Sequence, residues 1–182
     1  MTTLTLAERV VALDKALSRI PHAFGGAIAL AYYAEPRATI DIDINVFLGA
    51  DAYSKVAARL VPLGVAADAP DTVDRVERDG QVRVFWDATP LDLFFAYDPF
   101  HDAAAAARTK VPFAATTIPI LSASHLIVCK AVFNRAKDWV DIDAVLAAEV
   151  AIDTAEVTRW VGRIAGDTDP RYERIVALLT RR

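Results

Sequence analysis

Residues 24–47 read FGGAIALAYYAEPRATIDIDINVF. The Gly25-Gly26 pair opens an Ala-rich apolar segment, and Asp41-Ile42-Asp43 begins fifteen residues after Gly26. A glycine turn lets the backbone approach a phosphate closely, and a helix that begins there offers free N–H groups to the anion. Most Gly-Gly pairs are simply turns, so the Asp-x-Asp that follows gives this pair its meaning. The stretch predicts a phosphate-binding turn beside a strand that carries carboxylates.

Asp41 and Asp43 lie in a segment, 39–47, in which apolar and polar residues alternate. The alternation predicts a strand with one buried face, and both carboxylates share the other face because residues i and i+2 point the same way. Two adjacent carboxylates repel each other unless a cation lies between them or one is protonated. Mg²⁺ binds through one or two carboxylates together with substrate phosphates. The pair therefore predicts a magnesium site, although an exposed Asp-x-Asp without metal is the commoner case.

A third carboxylate is often needed to orient or deprotonate the attacking hydroxyl. Asp92 is the best candidate, because Leu91 and Leu93 beside it predict a strand whose opposite face is buried. Asp87, nearer the turn between two predicted strands, is the weaker alternative.

Composition limits the classes of protein that the chain can belong to. The 182 residues are 54% hydrophobic with a mean hydropathy of +0.28, which suits one domain or one domain with a small appendage. The net charge of −4 gives no global attraction to nucleic acid, so such a partner would need a local patch such as Arg163–Arg182. A single cysteine excludes an internal disulfide and fits a reducing cytosol. With no secretory pattern and no long apolar run, we expect a cytoplasmic protein without a membrane span.

Local signals predict an α+β fold, with a mixed sheet flanked by helices and then a C-terminal helical bundle. A capping box at Thr5 predicts the first helix. We expect a second helix over about 27–34, a polar loop with a short strand over 68–80, and a strand or extended piece over 111–120. Helices in the C-terminal third are expected to begin at Ser122, near Lys137, at Asp153 and at Asp169.

A polar stripe is predicted on one helical segment of the C-terminal third. Its members fall at i, i+4, i+7, i+8 and i+11 and are Lys130, Asn134, Lys137, Asp138 and Asp141. Such a stripe is usually a solvated face. If it instead faces a cleft, Lys130 would neutralise triphosphate charge, and Asp138 would orient Lys130 or Arg135.

Arg37 and Thr39 add a guanidinium and a hydroxyl just before the Asp pair. Arg37 has two interpretations of about equal weight. It would bind phosphate as a fork, or it would only pair with Glu35 or Asp41.

Together these motifs resemble the minimal nucleotidyltransferase superfamily, the fold related to DNA polymerase beta. Its members share a Gly-Gly or Gly-Ser turn, an Asp-x-Asp strand and a third Asp on a later strand. The chain is most similar to the AbiEii-type toxin nucleotidyltransferases, through GGAIAL at 25–30, RATIDID at 37–43 and the Lys130…Lys137-Asp138 helix. The resemblance covers about residues 20–148.

The resemblance implies a Mg²⁺-dependent enzyme that moves an NMP from an NTP to an acceptor hydroxyl. It implies a nucleotidyltransferase core over 1–120 and a helical region over 121–182 packed on it. The implied catalytic and metal-binding residues are Asp41, Asp43 and Asp92. The implied nucleotide-binding residues are Gly25, Gly26, Arg37, Thr39, Lys130, Lys137 and Asp138. A toxin acting on tRNA and held by a cognate antitoxin is expected, with a small-molecule or protein acceptor as the rival. The alternative is a degenerate member that binds nucleotide or a partner without transfer.

Overall fold

The computed structural model describes residues 4–181. Residues 1–3 of the N-terminal stretch and Arg182 of the expected basic patch lie outside the described residues. The helices are α1 (Leu6–Ala16), α2 (Gly26–Leu30), α3 (Tyr53–Leu60), α4 (Thr72–Asp79), α5 (Phe100–Ala107), α6 (Ala123–Phe133), α7 (Ala136–Ala147), α8 (Thr154–Ala165) and α9 (Pro170–Thr180). The strands are β1 (His22–Phe24), β2 (Ile42–Val46), β3 (Gln81–Trp86), β4 (Thr89–Phe95), β5 (Thr109–Phe113) and β6 (Thr116–Ile120).

The strands form one mixed sheet in the order β3-β4-β2-β1-β6-β5. β2 runs parallel to β4, and β1 runs parallel to β6. The pairs β1–β2, β3–β4 and β5–β6 are antiparallel. β2 and β4 therefore lie side by side in the middle of the sheet, which is where the Asp motifs fall.

The chain divides into two compact units. The first comprises Met1–Ile28 and Ala38–Leu121 and holds the sheet with α1, α3, α4 and α5. The second comprises Ala29–Arg37 and Ser122–Arg182 and holds α6 to α9, with α2 running across the boundary. The expected α+β class, a mixed sheet with flanking helices and C-terminal helices, is confirmed. Within residues 4–181, no helix is both long enough and apolar enough to cross a bilayer.

Each unit has its own apolar core. In β4 the buried positions alternate with half-buried ones from Leu91 to Phe95, whereas in β2 only Asp43 is half-buried and the other four residues are buried. In the second unit α6, α7, α8 and α9 bury Ile127, Trp139, Val161 and Ile175.

Four helix starts predicted from capping residues are confirmed. The Thr5 hydroxyl accepts a hydrogen bond from Glu8 N, and the Glu8 carboxylate accepts one from Thr5 N. The two bonds together form a capping box. Simpler caps, in which the side chain accepts one backbone N–H, begin three later helices, at Ser122, Asp153 and Asp169. These signals succeed because cap and helix are neighbours in sequence.

Two predictions in the decisive stretch need correction. The helix expected over 27–34 ends at Leu30 and continues only as turns, because Tyr32 N and Tyr33 N donate to the carbonyls three residues back, Ala29 O and Leu30 O, and so tighten the chain. The strand expected over 39–47 begins only at Ile42, so Asp41 lies outside it. Asp41 N donates to Thr39 Oγ1 at 3.2 Å, and this local bond competes with pairing in the sheet.

One further prediction was wrong about element type, and two were right about element type but incomplete. The polar loop over 68–80 contains α4, an amphipathic helix that buries Thr72 and Val76 and ends at Gly80 with φ +65°. The strand or extended piece expected over 111–120 is confirmed as strand, but it forms two strands, the β5–β6 hairpin, which turns at Ala114 with φ +49°. The end of one helix near Asn134 and the start of another near Lys137 are confirmed, since α6 ends at its C-cap Asn134, where φ is +58°, and α7 begins at Ala136. The polar stripe is therefore divided between two helices.

Candidate active site

The structure places Asp43 on β2 directly beside Asp92 on β4. The two strands are parallel, and Asp43 and Asp92 are register partners. Register partners on neighbouring strands project from the same face of a sheet, about 4.8 Å apart in the pairing direction. Both side chains are half-buried, while Ile42 and Leu91 beside them are buried on the other face. The fold thus brings together two carboxylates that are 49 positions apart in sequence.

Asp87, the alternative third carboxylate, does not join this pair. It lies at the turn after β3 with φ +52°. Its carboxylate accepts a hydrogen bond of 2.8 Å from the buried Arg9 guanidinium, which also donates to Trp86 O. Asp87 therefore links the turn after β3 to Arg9 on α1. Of the two candidates for the third carboxylate, Asp92 is the one that lies beside Asp43.

Arg83, which the motifs did not single out, neutralises part of the carboxylate cluster. It is the antiparallel partner of Asp92 on β3 and donates to both oxygens of Asp92, at 2.7 and 2.6 Å. The same guanidinium lies 3.7 Å from Asp41 Oδ2, so Asp41 and Asp92 both lie within its reach. Hydrogen bonding to Asp92 raises the pKa of Arg83 above its ordinary value, and the guanidinium stays charged. Alternation along β3 puts Arg83 on the polar face, which is the signal that could have identified it.

The glycine turn lies against Asp43. Gly25 N donates to Asp43 O at 2.9 Å, which ties the turn to β2. Gly26 has φ +50°, and a Cβ built on it would lie 1.7 Å from Asp43 Oδ2. A Cβ on Gly25 would lie 2.7 Å from Asn45 Nδ2. Glycine at 26 thus lets the backbone lie against the Asp43 carboxylate at a positive φ without strain, and glycine at 25 leaves room for the Asn45 amide.

These residues suit a hard divalent cation by their chemistry. Asp41, Asp43 and Asp92 offer only oxygen ligands, and the Gly26 backbone approaches Asp43 so closely that a Cβ on Gly26 would lie 1.7 Å from Asp43 Oδ2. Within residues 4–181, no three acidic, cysteine or histidine side chains are grouped closely enough to hold a metal ion. Arg83 provides a reason, since it pairs with Asp92 and holds that carboxylate toward β3.

A second ionic cluster lies in the second unit, around Asp141 on α7. Its carboxylate accepts two hydrogen bonds of 3.0 Å from Arg37 and one of 2.6 Å from Lys130. Arg37 thus pairs with a carboxylate that sequence reasoning did not name for it. Burial raises the pKa of Asp141, but the hydrogen bonds from Arg37 and Lys130 outweigh burial and bring the pKa below its ordinary value.

The stripe residues divide between this cluster and solvent. Lys130 and Asp138 are 4% and 0% exposed, so this part of the stripe is not a solvated face. Asp138 accepts hydrogen bonds from Arg135 at 2.7 and 3.1 Å and lies 3.9 Å from Lys130 Nζ, while Lys137 is exposed. The nucleotide-binding roles of Arg37, Thr39, Lys130, Lys137 and Asp138 stay predictions.

Replacing Asp141 by asparagine should lower the free energy of unfolding by about 3 kcal/mol. The change leaves the buried Lys130 ammonium and part of Arg37 without their shared counter-charge, which is costlier than removing a whole buried pair. Chemical denaturation measures the loss. Asp143→Asn is the matched control, because Asp143 is exposed on the same helix.

The loss should depend on pH with a definite sign. Because the folded-state pKa of Asp141 is depressed, its contribution is complete above the unfolded value of 3.8 and is lost as pH falls through the folded pKa. The difference between wild type and Asp141→Asn should therefore stay constant from pH 7 to about 5 and shrink below about pH 4. A difference that grows on acidification would contradict this assignment.

Comparison with known proteins agrees with the geometry. The family model described as nucleotidyl transferase AbiEii toxin of type IV toxin–antitoxin systems matches residues 10–179. No curated protein matches the chain in sequence.

Solved structures share the fold at low identity. The solution structure of the antibiotic-resistance factor ANT(2'')-Ia has a TM-score of 0.62 and 14% identity, covering 96% of this chain and 95% of that one. The crystal structure of an antigenic nucleotidyltransferase-like protein from Paracoccidioides brasiliensis has a TM-score of 0.56 and 15% identity, covering 97% and 87%.

Proposed function

Since the chain belongs to the AbiEii family of nucleotidyltransferase toxins, we propose that it transfers an NMP from an NTP to an acceptor hydroxyl at the site formed by Asp41, Asp43 and Asp92. The observation that carries the proposal is the register pairing of Asp43 with Asp92 beside the glycine turn. Carboxylates next to a glycine turn suit a triphosphate and its counter-ions.

The proposed reaction is an attack of the acceptor hydroxyl on the α-phosphate of the NTP. The acceptor oxygen forms a bond to the α-phosphorus, the bond from that phosphorus to the β-phosphate oxygen breaks, and pyrophosphate leaves. Asp92 accepts the proton of the attacking hydroxyl. Gly25 and Gly26 present backbone to the triphosphate, and Arg83 holds Asp92 in position before substrate binds.

Asp41 and Asp43 would hold Mg²⁺, with Asp92 as the third ligand. When bound, the ion offsets the negative charge that develops on the phosphates and orients them for in-line attack.

For the acceptor we propose tRNA, and for the partner a cognate antitoxin, both acting in the cytoplasm. The toxin family supports the proposal, because blocking a terminal tRNA hydroxyl would stop growth and would need a partner to restrain it. The acidic net charge of −4 adds no support for RNA beyond local basic patches.

The experiment is a transfer assay with each of the four α-labelled NTPs, using total RNA, purified tRNA, protein and small-molecule fractions of a cell extract as acceptors. Label should enter tRNA in the presence of Mg²⁺, with one pyrophosphate released per NMP transferred. Label that enters the protein or small-molecule fraction instead would overturn the tRNA acceptor but keep the chemistry. No label in any fraction would overturn the transfer function.

The Arg83–Asp92 pair favours one alternative, a degenerate protein that binds nucleotide or a partner without transfer. In that case Arg83 takes the place of the metal at all times. The two functions differ in one measurable property, the effect of Mg²⁺ on the affinity of the wild-type protein for NTP. If the protein is an enzyme, it binds NTP more tightly with Mg²⁺ than without it; if it is degenerate, Mg²⁺ has no such effect.

Replacing Arg83 by glutamine should make the protein respond more strongly to Mg²⁺. Without metal, the lost pairing with half-exposed Asp92 and Asp41 should cost about 1 kcal/mol of stability. Added Mg²⁺ should then raise the melting temperature of the variant more than that of wild type, because the guanidinium no longer competes for the carboxylates.

Arg78→Gln is the matched control, since Arg78 also binds a carboxylate at two points, that of Asp79, but on the exposed part of α4. It should leave the magnesium response unchanged. If Arg83→Gln binds Mg²⁺ and NTP together but wild type does not, the degenerate alternative is correct.

A further inference from the structure

A basic pocket lies in the first unit at the end of β1 opposite the glycine turn. We call it the basic pocket; its volume is about 440 Å³, and it is lined in part by Arg19, His22, Arg108, Lys110 and Thr117. His22 pairs with Val46, whereas Gly25 bonds to Asp43 O. His22 and Gly25 are three residues apart along the extended chain, which corresponds to roughly 10 Å. The pocket is thus distinct from the Asp cluster.

The charge of the pocket is unlike that of the whole chain. Arg19, Arg108 and Lys110 contribute three cations, and Asp14 is the one carboxylate among the lining residues. In the described part of the chain, neither Arg19 nor Lys110 has a hydrogen-bond or ion-pair partner. Two cations without partners around one cavity, in a protein of net charge −4, favour an anionic ligand.

Arg108 is already held in place. Its guanidinium donates to Ala105 O and lies 5.9 Å from the centre of the Phe47 ring. An arginine fixed in this way loses less rotamer freedom on binding than a free one, which suits an oxyanion site.

His22 supplies an unsatisfied polar atom in the wall of the pocket. The residue is 5% exposed, and its Nδ1 lies 2.8 Å from Ile20 O, so Nδ1 is the donor. Whenever the ring carries a single proton, Nε2 is an acceptor. Nε2 lies 3.3 Å from Asp14 Oδ1 but forms no hydrogen bond within residues 4–181. A ligand hydroxyl that donates to Nε2 would replace the hydrogen bond to water that this buried nitrogen lost on folding.

We propose that the basic pocket binds a phosphate ester, with Arg19, Arg108 and Lys110 on the phosphate and His22 Nε2 accepting from a hydroxyl of the attached sugar. The volume exceeds what inorganic phosphate fills and falls in the range of small-ligand sites. The apolar wall at Pro21 and Pro119 gives the rest of the ester a surface to pack against. A free nucleotide and a strand of RNA both supply this chemistry.

The test is a magnesium-free NMR titration of the whole protein with AMP, with adenosine, with inorganic phosphate and with a pentaribonucleotide that lacks terminal phosphates. The His22 ring and the amides of Lys110 and Thr117 report the basic pocket, and the amides of Gly25 and Gly26 report the Asp cluster. AMP should give saturable shifts at the basic pocket, stronger than those with inorganic phosphate, and adenosine should give none. Tighter binding of the pentaribonucleotide than of AMP would identify the source as an RNA phosphodiester; the reverse would identify a free nucleotide.

The double variant Arg19→Gln/Lys110→Gln should weaken AMP binding at these signals at least about tenfold, because it removes two charge-assisted contacts. Among residues 4–181 it removes no hydrogen bond or ion pair of a side chain, so the fold should be unaffected. The control Lys55→Gln/Arg59→Gln removes the same charges from the exposed side of α3. Absence of saturable shifts with every phosphate-bearing probe, or equal affinity in the double variant and wild type, would overturn the proposal. Neither result depends on whether the Asp cluster transfers NMP.

Discussion

Replacing Asp43 by asparagine should reduce NMP transfer by about 10⁴-fold while the first unit keeps its fold. Asp43 is the carboxylate on which the glycine turn sits and the register partner of Asp92. Asparagine keeps the shape but removes the charge that would hold a cation on the triphosphate. Because the change relieves repulsion among the carboxylates, metal-free stability should be equal or higher. Steady-state kcat/KM and thermal unfolding measure the two effects.

Asp74→Asn is the control for the loss of one negative charge, since Asp74 is exposed on α4 in the same unit. It should leave kcat/KM unchanged. Wild-type transfer by the Asp43 variant would remove the metal assignment, and unfolding of that variant would show that Asp43 serves the fold instead.

The pairing of Asp43 with Asp92 could be approached from sequence because two local patterns converge on it. Alternation fixes which face of a strand each carboxylate takes, and the apolar neighbours of Asp92 mark the opposite face as buried. Which strands pair, and in which register, depends on the chain between them. Sequence therefore predicted the shared face of Asp43 and Asp92, but not that β2 and β4 would be parallel and aligned at these residues.

Arg83 is a site residue that the sequence motifs did not identify. Its role follows from the β3–β4 hairpin, which puts it opposite Asp92. A search for carboxylates and glycines does not look for the cation that balances them, although alternation along β3 already placed Arg83 on the polar face. The missed α4 has another cause: its polar composition resembles a loop, and only the spacing of Thr72 and Val76 reveals the buried side.

The ionic cluster around Asp141 could not be predicted from the stripe pattern. A row of charged residues on a helix gives no sign of whether protein or water covers it. Arg37 approaches Asp141 from 104 positions away, and the turn at Asn134 changes the direction of the chain between Lys130 and Asp141. Long-range contacts of this kind are a property of the folded chain rather than of the helix period.

Replacing Gly26 by alanine should reduce transfer by about 10³-fold and lower the free energy of unfolding by about 1–2 kcal/mol. The stability loss comes from the positive φ of 50°, a backbone conformation that alanine adopts only with strain. The larger loss of activity comes from the side chain itself. Its Cβ would lie 1.7 Å from Asp43 Oδ2 and 2.5 Å from Asp43 Cγ, so the carboxylate has to rotate away from the turn.

Gly64→Ala separates these two causes. Gly64 also has a positive φ, +89°, but a Cβ there would meet nothing closer than Trp86 Nε1 at 3.8 Å. It should lose a similar amount of stability and keep wild-type kcat/KM. If both alanine variants lose stability equally and both keep transfer, the contact between Gly26 and Asp43 has no part in the reaction. If only Gly26→Ala loses transfer, the glycine is needed because its missing side chain leaves room for the Asp43 carboxylate.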